Sequence, residues 1–119
     1  MVTGPDILVV NLLRFTNAMV KNMAHVSFTE DLDLTEFTEP RTELIYQLAA
    51  VVHQKGTLSS GHYKAIAKCP GGGWQELNDS KVTNVRTQAA VNPGGTWTPY
   101  VLLWTRVDCG PAHTRLRGL

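Results

Sequence analysis

The feature that most constrains the fold is a series of short apolar runs separated by glycine-rich turns. The run "LIYQLAAVVHQ" (residues 44–54) is followed by the loop "KGTLSSG", the alternating stretch "HYKAIAK", the turn "CPGGG", the stretch "WQELN" and the turn "NDSK". Apolar and polar residues that alternate over five to seven positions are typical of β-strands, and loops of this length join antiparallel neighbours. The middle of the chain is therefore predicted to form consecutive β-hairpins.

The same pattern extends over most of the chain. We predict strands at Ile7–Phe15, His25–Thr29, Leu44–Gln54, His62–Lys68, Trp74–Asn78, the first part of Val82–Val91, and Tyr100–Val107. Helix is expected only as one or two turns within residues 82–91, although residues 44–54 are long enough for a helical alternative. The predicted fold class is α+β and β-rich, with a mostly antiparallel, twisted sheet that needs cover on at least one face. The nearly unbroken apolar character of residues 7–15 predicts a central strand covered on both faces.

An acidic segment separates the second and third predicted strands. "EDLDLTEFTEPRTE" (residues 30–43) holds six of the ten acidic residues of the chain. Leu32, Leu34 and Phe37 are candidates to anchor it to a core, and Pro40 interrupts any helix. A solvated surface segment is the favoured interpretation, and an acidic recognition patch is the alternative.

Composition excludes several functional classes. A chain of 119 residues with 43% hydrophobic residues fits one globular domain, and a net charge of +1 gives no reason to expect nucleic acid or a membrane as partner. No apolar run is long enough to span a bilayer, and no secretory signal opens the chain. Two cysteines suggest free thiols in a reducing compartment, hence a cytoplasmic or nuclear location. We expect one domain over residues 1–107 and a tail over residues 108–119.

The sequence contains no motif that is typical of a metal or cofactor site. The four histidines form no His-x-His or His-Glu-x-x-His pattern, and the two cysteines form no Cys-x-x-Cys pair. We therefore expect neither a metal site nor a cofactor.

His62 is the strongest candidate for a chemical role. It follows Gly61 at the mouth of a loop, where an imidazole can stay half-exposed and act as a general base. Asn78 and Asp79 end the next strand, so a hairpin would bring one of them, but not both, to the face that carries His62. An amide or carboxylate oxygen there would fix the tautomer of the ring. From spacing alone, a structural histidine that caps a loop is the favoured interpretation.

A nucleophile for such a base is harder to find. Six residues separate Cys69 from His62, which puts it about 20 Å away along an extended strand, and Cys109 lies in the tail. Ser59 and Ser60 precede His62, but they lie in a loop with no helix N-terminus behind them to form an oxyanion hole.

Several ordered blocks of this sequence resemble the ubiquitin-specific proteases, which are papain-like cysteine proteases. "YQLAAVVHQKGTLSSGHYKAIAK" and "WQELND" are similar to the histidine box of that family. "PDILVVNLLRF" and "VSFTEDLDL" precede it as in the family, and "TPYVLLWTRV" is similar to the closing strand. The resemblance implies the palm part of the catalytic domain over about residues 5–107.

The resemblance also implies roles for individual residues. His62 would be the general base that deprotonates a cysteine, Asn78 the third member of the triad, and Asp79 its acidic neighbour. Ser59, Ser60, Gly61 and Tyr63 would belong to the loop that grips the glycine-ended tail of ubiquitin. Ubiquitin or a ubiquitinated protein is then the expected partner.

One departure from the family pattern limits what this chain can do. The family's catalytic cysteine lies in an N-terminal box, and neither cysteine here has the Asn-x-Gly-x-x-Cys context of that box. The resemblance thus implies the C-terminal histidine-box half of a deubiquitinating cysteine protease, inactive without an N-terminal catalytic half as partner. The alternative is a non-enzymatic module that uses the same fold to bind ubiquitin or another protein.

Overall fold

A seven-stranded antiparallel sheet forms the body of the protein in the computed structural model, which describes residues 4–16, 20–57 and 59–107. The strands are β1 (Ile7–Asn11), β2 (Asp31–Asp33), β3 (Ile45–Lys55), β4 (His62–Lys68), β5 (Trp74–Asn78), β6 (Lys81–Val85) and β7 (Thr98–Val107). Their spatial order is β1-β7-β3-β4-β5-β6, and β2 pairs with β3. The short helix α1 (Thr87–Val91) and a 3-10 turn (Thr35–Phe37) complete the described elements. The β-rich, mostly antiparallel fold class is confirmed.

The centre of the sheet follows the sequence pattern closely. β4 and β5 occupy the predicted ranges, and the 44–54 run forms the strand β3 rather than a helix. β3 has neighbours on both sides, because it pairs with β7 along one edge and with β2 and β4 along the other. The predicted helical turns after β6 are α1. The predicted tail at residues 108–119, with Cys109, lies outside the described residues.

One face of the sheet carries the core. Side chains from the four central strands point to this face and are buried, including Leu48, Val51, Ile66 and Trp104. Phe28, Leu32, Leu34 and residues of α1 pack against them as partly buried cover. Because burial of large apolar side chains supplies most of the folding free energy, this face determines how the strands align.

β1 corrects the expectation of a central first strand. It ends at Asn11, lies at the edge of the sheet and, among the described residues, pairs only with β7. Its residues alternate in exposure, with Leu8 and Val10 packed on the core and Ile7 and Val9 open. The apolar run indicated a strand with two covered faces, but only one face has cover among the described residues. Phe15 lies outside β1 and forms an isolated bridge with Lys21.

The prediction of a strand at His25–Thr29 is wrong. These residues have no strand assignment, and the strand of this region is β2, which starts at Asp31. Phe28 packs edge-on against Trp104, with ring centroids 6.3 Å apart, so tertiary packing rather than pairing holds the segment. Of the three proposed anchors in the acidic segment, Leu32 and Leu34 pack on the core, but Phe37 is 70% exposed.

The second face of the sheet is apolar and open. Two rows of paired residues cross it, Val9–Leu103–Ala50–Ala67 and Val101–Val52–Ala65–Leu77–Val82. None of these side chains is buried by the described residues, and Val9, Leu77 and Val82 are exposed. An apolar surface of this extent is typical of an interface. Separately, no helix in the described ranges has the length and apolar character to cross a membrane.

His53 is a polar group inside the core face. Its Nε2 lies 2.9 Å from the carbonyl oxygen of Ala90 in α1, so Nε2 donates and Nδ1 carries the lone pair. Nδ1 is buried without a hydrogen-bond partner among the described residues. Burial lowers the pKa of His53, and the nearby Lys64 ammonium lowers it further. The ring is therefore kept neutral where α1 meets the sheet.

This lowered pKa predicts acid sensitivity of the fold. On acidification the unfolded chain binds a proton at His53 near the ordinary value of about 6.5, before the folded chain does, so the free energy of unfolding falls below that pH. His53→Gln keeps an amide donor for Ala90 but does not titrate. Urea unfolding from about pH 7.5 to about pH 5.5 should show a loss on the order of 1 kcal/mol more in the wild type than in His53→Gln. An equal loss in both proteins would contradict this assignment.

Candidate active site

His62 is the first residue of β4, and the register of the central hairpins decides what it meets. Lys55 of β3 is its cross-strand partner. On the other side, Ala65 pairs with Leu77, and continuing this register puts Asn78 opposite Lys64, on the same face as His62. The two side chains meet there, with Nε2 of His62 2.7 Å from Oδ1 of Asn78.

This hydrogen bond fixes the chemistry of the imidazole. An amide oxygen only accepts, so Nε2 donates the proton and Nδ1 of the neutral ring keeps its lone pair. The His62 side chain is 39% exposed, which leaves the ring accessible from outside. An imidazole whose tautomer is set in this way can act as a general base.

Asp79 also approaches His62, which corrects the expectation that only one of the two neighbours would. Its Oδ2 lies 3.8 Å from Nε2 of His62. Asp79 leaves the strand at the turn between β5 and β6 with a φ of 55°, so strand alternation no longer applies to it. Aspartate tolerates this left-handed conformation better than most residues. Its side chain is 80% exposed, so its attraction for a protonated His62 is weakened by solvent.

Hydrogen bonds from the Gln54 side chain stabilise the loop that precedes His62. Nε2 of Gln54 donates to the carbonyl oxygens of Lys55, Gly56 and Thr57 at 3.0 to 3.4 Å. Ser59 and Ser60 are exposed in this loop, and the backbone N–H of Ser60 donates to the hydroxyl of Thr57 at 2.9 Å. The loop thus has internal structure that leads the chain into β4.

Tyr63 points to the other face of β4. Its ring lies 5.7 Å from that of Tyr100, and the residue is 44% exposed. Phe15 meets Tyr100 edge-on at 6.5 Å. Tyr63 thus belongs to an aromatic group on the open second face, while His62 belongs to the core face.

No thiol of the described residues lies beside His62. Cys69 is a free cysteine directly after β4, at the opposite end of the strand, about 20 Å away by strand length. Within residues 4–16, 20–57 and 59–107, no group of three or more His, Cys, Asp or Glu side chains is placed to hold a metal ion.

Sequence reasoning missed two residues that lie beside His62, Trp97 from outside the histidine box and Lys64 from within it. Trp97 lies in the loop before β7, and its ring centroid is 5.8 Å from that of His62. Lys64 pairs with Glu76 at 2.8 Å and lies beside the site. Strand alternation would have placed Lys64 on the face of His62, but nothing in the sequence around Trp97 indicates which strand its loop covers.

Comparison with known sequences gives a consistent family match. The family model "Ubiquitin carboxyl-terminal hydrolase" matches residues 1–104. Ubiquitin carboxyl-terminal hydrolase 2 of Homo sapiens is 40% identical over 85 residues, covering 66% of this chain and 14% of the relative. Ubiquitin carboxyl-terminal hydrolase 9 of Arabidopsis thaliana is 36% identical over 110 residues, covering 87% of this chain and 12% of the relative. The chain spans less than a quarter of the length of these relatives.

Solved structures agree with the sequence match. A chain in the Ubp8–Sgf11–Sgf73–Sus1 SAGA DUB module matches with a TM-score of 0.76 and 29% identity, over 87% of this chain and 24% of that one. The Ubp8 module bound to ubiquitin aldehyde gives a TM-score of 0.73 and 26% identity, over 87% of this chain and 25% of that one. The sheet described above is therefore similar in fold to part of these proteins.

The packing of Gly61 predicts that any side chain there disturbs the entry to β4. A Cβ at Gly61 would lie 2.9 Å from the carbonyl oxygen of Lys55, with the Thr57 carbonyl and the Gln54 amide nitrogen closer still. Gly61→Ala should lower the free energy of unfolding by about 1–3 kcal/mol, since backbone atoms must shift. Gly71→Ala is the matched control, because a Cβ there meets nothing within 4 Å. Equal urea midpoints for the two variants would show that the loop yields freely.

Proposed function

Because the chain belongs to the ubiquitin carboxyl-terminal hydrolase family, we propose that it is the histidine-bearing part of a deubiquitinating cysteine protease. The reaction is thiol-dependent hydrolysis of the bond to the C-terminus of ubiquitin. His62 is the general base, Asn78 orients it, and Asp79 is the neighbouring acidic residue. The cysteine comes from another stretch of polypeptide.

The observation that carries this proposal is the 2.7 Å contact between Nε2 of His62 and Oδ1 of Asn78. A residue that only caps a loop needs no side-chain partner on the next strand. Here two strands bring an amide to one ring nitrogen and leave the other nitrogen with its lone pair. The family match and this tautomer support the same role for His62.

The reaction follows from the free nitrogen. Nδ1 of His62 takes the proton of a cysteine thiol, and the thiolate attacks the carbonyl carbon of the bond to be cleaved. The imidazolium then returns its proton to the leaving amine, and water hydrolyses the thioester with His62 again as base. The bond from Nε2 to Asn78 holds the ring through both proton transfers.

The open second face supports a docking role for the polypeptide that brings the cysteine. The apolar rows through Leu103, Val52 and Leu77 lie uncovered in the described residues, and Tyr63 borders them at the His62 end of β4. Burying this surface would stabilise an assembly by about 25 cal/mol per Å² of apolar area. We propose that the rest of a catalytic domain covers this face.

Ubiquitin is the proposed partner at the loop before His62. Neighbouring structures of the Ubp8 module are bound to monoubiquitin or to ubiquitin aldehyde. In this chain the loop with Ser59 and Ser60 is exposed and leads through Gly61 to His62. We propose that this loop and Tyr63 bind the C-terminal tail of ubiquitin. We also propose that the protein functions in a reducing compartment, the cytoplasm or the nucleus.

Complementation in trans is the direct test. The chain alone should not hydrolyse a fluorogenic ubiquitin substrate, because base and thiol act as a unit. Mixing it with the cysteine-bearing N-terminal part of a family catalytic domain should give measurable turnover. His62→Ala should abolish that turnover, and Asn78→Ala should lower kcat by on the order of a hundredfold.

Controls separate this proposal from a binding module. Cys69→Ser changes the free cysteine at the opposite end of β4 from His62 and should leave the turnover unchanged. Hydrolysis by the chain alone that is lost in His62→Ala would refute the proposal and make Ser60 or Cys69 the candidate nucleophile. An inert mixture that still binds ubiquitin, equally well in wild type and His62→Ala, would favour the non-enzymatic alternative.

The open face predicts the behaviour of the isolated chain. It should bind a hydrophobic dye or self-associate, because Val9, Leu77 and Val82 are exposed on a continuous apolar surface. The double variant Val9→Thr with Leu77→Thr should lower dye fluorescence at equal concentration. Val20→Thr, an exposed position outside the sheet, is the control. A monomer without dye binding would contradict the prediction.

A further inference from the structure

Trp97 contacts the imidazole of His62 from outside the histidine box. The two ring centroids are 5.8 Å apart, with the planes tilted by 58°. The same indole makes cation–π contacts with two ammonium groups. Nζ of Lys64 lies 4.3 Å and Nζ of Lys55 lies 4.8 Å from its ring centroid. One aromatic ring therefore touches the base and the two cations beside it.

The pairing of β3 and β4 explains why these side chains converge. Lys55 is the cross-strand partner of His62, and Lys64 follows His62 by two residues on the same face. The electron-rich face of an indole attracts ammonium groups, and Glu76 pairs with Lys64 at 2.8 Å. Both cations thus have fixed partners other than His62.

The backbone around Trp97 is held on both sides. Its own N–H donates to the carbonyl oxygen of Gly94 at 3.4 Å. The hydroxyl of Thr98 donates to the carbonyl oxygen of Gln54 at 3.1 Å, and Nε of the buried Arg14 donates to that of Pro99 at 3.0 Å. The Thr98 bond joins the loop to β3, and the Arg14 bond joins it to the segment after β1, so the backbone that carries the indole is fixed near the start of β4.

We propose that Trp97 is a positioning residue for His62. The imidazole contacts both the indole and Asn78, and the two contacts together restrict rotation of the ring about its side-chain bonds. In this orientation Nε2 keeps its bond to Asn78 and Nδ1 stays available to a thiol. The catalytic meaning of this contact rests on the proposed function, but the restriction of the ring does not.

NMR of the full chain with labelled histidine tests the restriction directly. The ring current of Trp97 should displace the carbon-bound proton signals of His62, and nitrogen shifts should report the tautomer protonated at Nε2. Trp97→Phe keeps an aromatic ring and should preserve most of both signatures. Trp97→Leu keeps an apolar side chain without a ring, and it should lose the displacement and admit the other tautomer. Phe37→Leu, at an exposed aromatic of the acidic segment, is the control and should change neither.

The outcomes are distinct. Loss of both signatures in Trp97→Leu, with retention in Trp97→Phe and an unchanged amide spectrum, supports the positioning role. His62 signals that are the same in Trp97→Leu as in the wild type overturn it. In the complementation assay, Trp97→Leu should lower kcat about tenfold with little change in KM, and Trp97→Phe should recover most of the loss. A wild-type mixture without turnover would refute the proposed function, while the NMR comparison still decides the role of Trp97.

Discussion

The hydrogen bond from His62 to Asn78 depends on the register between β4 and β5, and that register is set by the core. Ile66 of β4 and Trp74 of β5 point into the core face together with the base. A shift of one residue in either strand would expose one of them and turn His62 or Asn78 to the opposite face. The apolar residues of the hairpin thus fix the distance between two polar side chains at its open end.

The two faces of the sheet differ in which side chains they carry and in how far these are buried. The core face holds the buried apolar side chains, the neutral His53 beneath α1 and, at its end, the base with its partners. The second face presents alternating small and branched apolar residues that the described part of the chain leaves open. The described contacts of His62 therefore lie within this chain, whereas the open face is suited to contact with another stretch of polypeptide.

The sequence predicted the centre of the sheet well because local pattern and tertiary environment agree there. β4 and β5 alternate in sequence and in burial, and their turns contain the glycines and Asn-Asp that turns require. The pattern failed at the periphery. An apolar run does not distinguish an edge strand from a central strand, so the position of β1 in the sheet was predicted wrongly. Phe28 is held by Trp104, 76 positions further along the chain, and no local signal indicates such a contact.

The candidate site shows the same division between local and distant information. His62, Asn78 and Asp79 are separated by one hairpin, so strand geometry alone suggested their meeting, although the left-handed turn at Asp79 went beyond that rule. Trp97 precedes β7, which lies on the other side of β3 from β4. Its contact with His62 therefore depends on the order of the strands in the sheet and has no local sequence signal. The indole and the amide reach the ring from different elements. A base held in this way is oriented before any thiol arrives, so docking the nucleophile need not also order the imidazole.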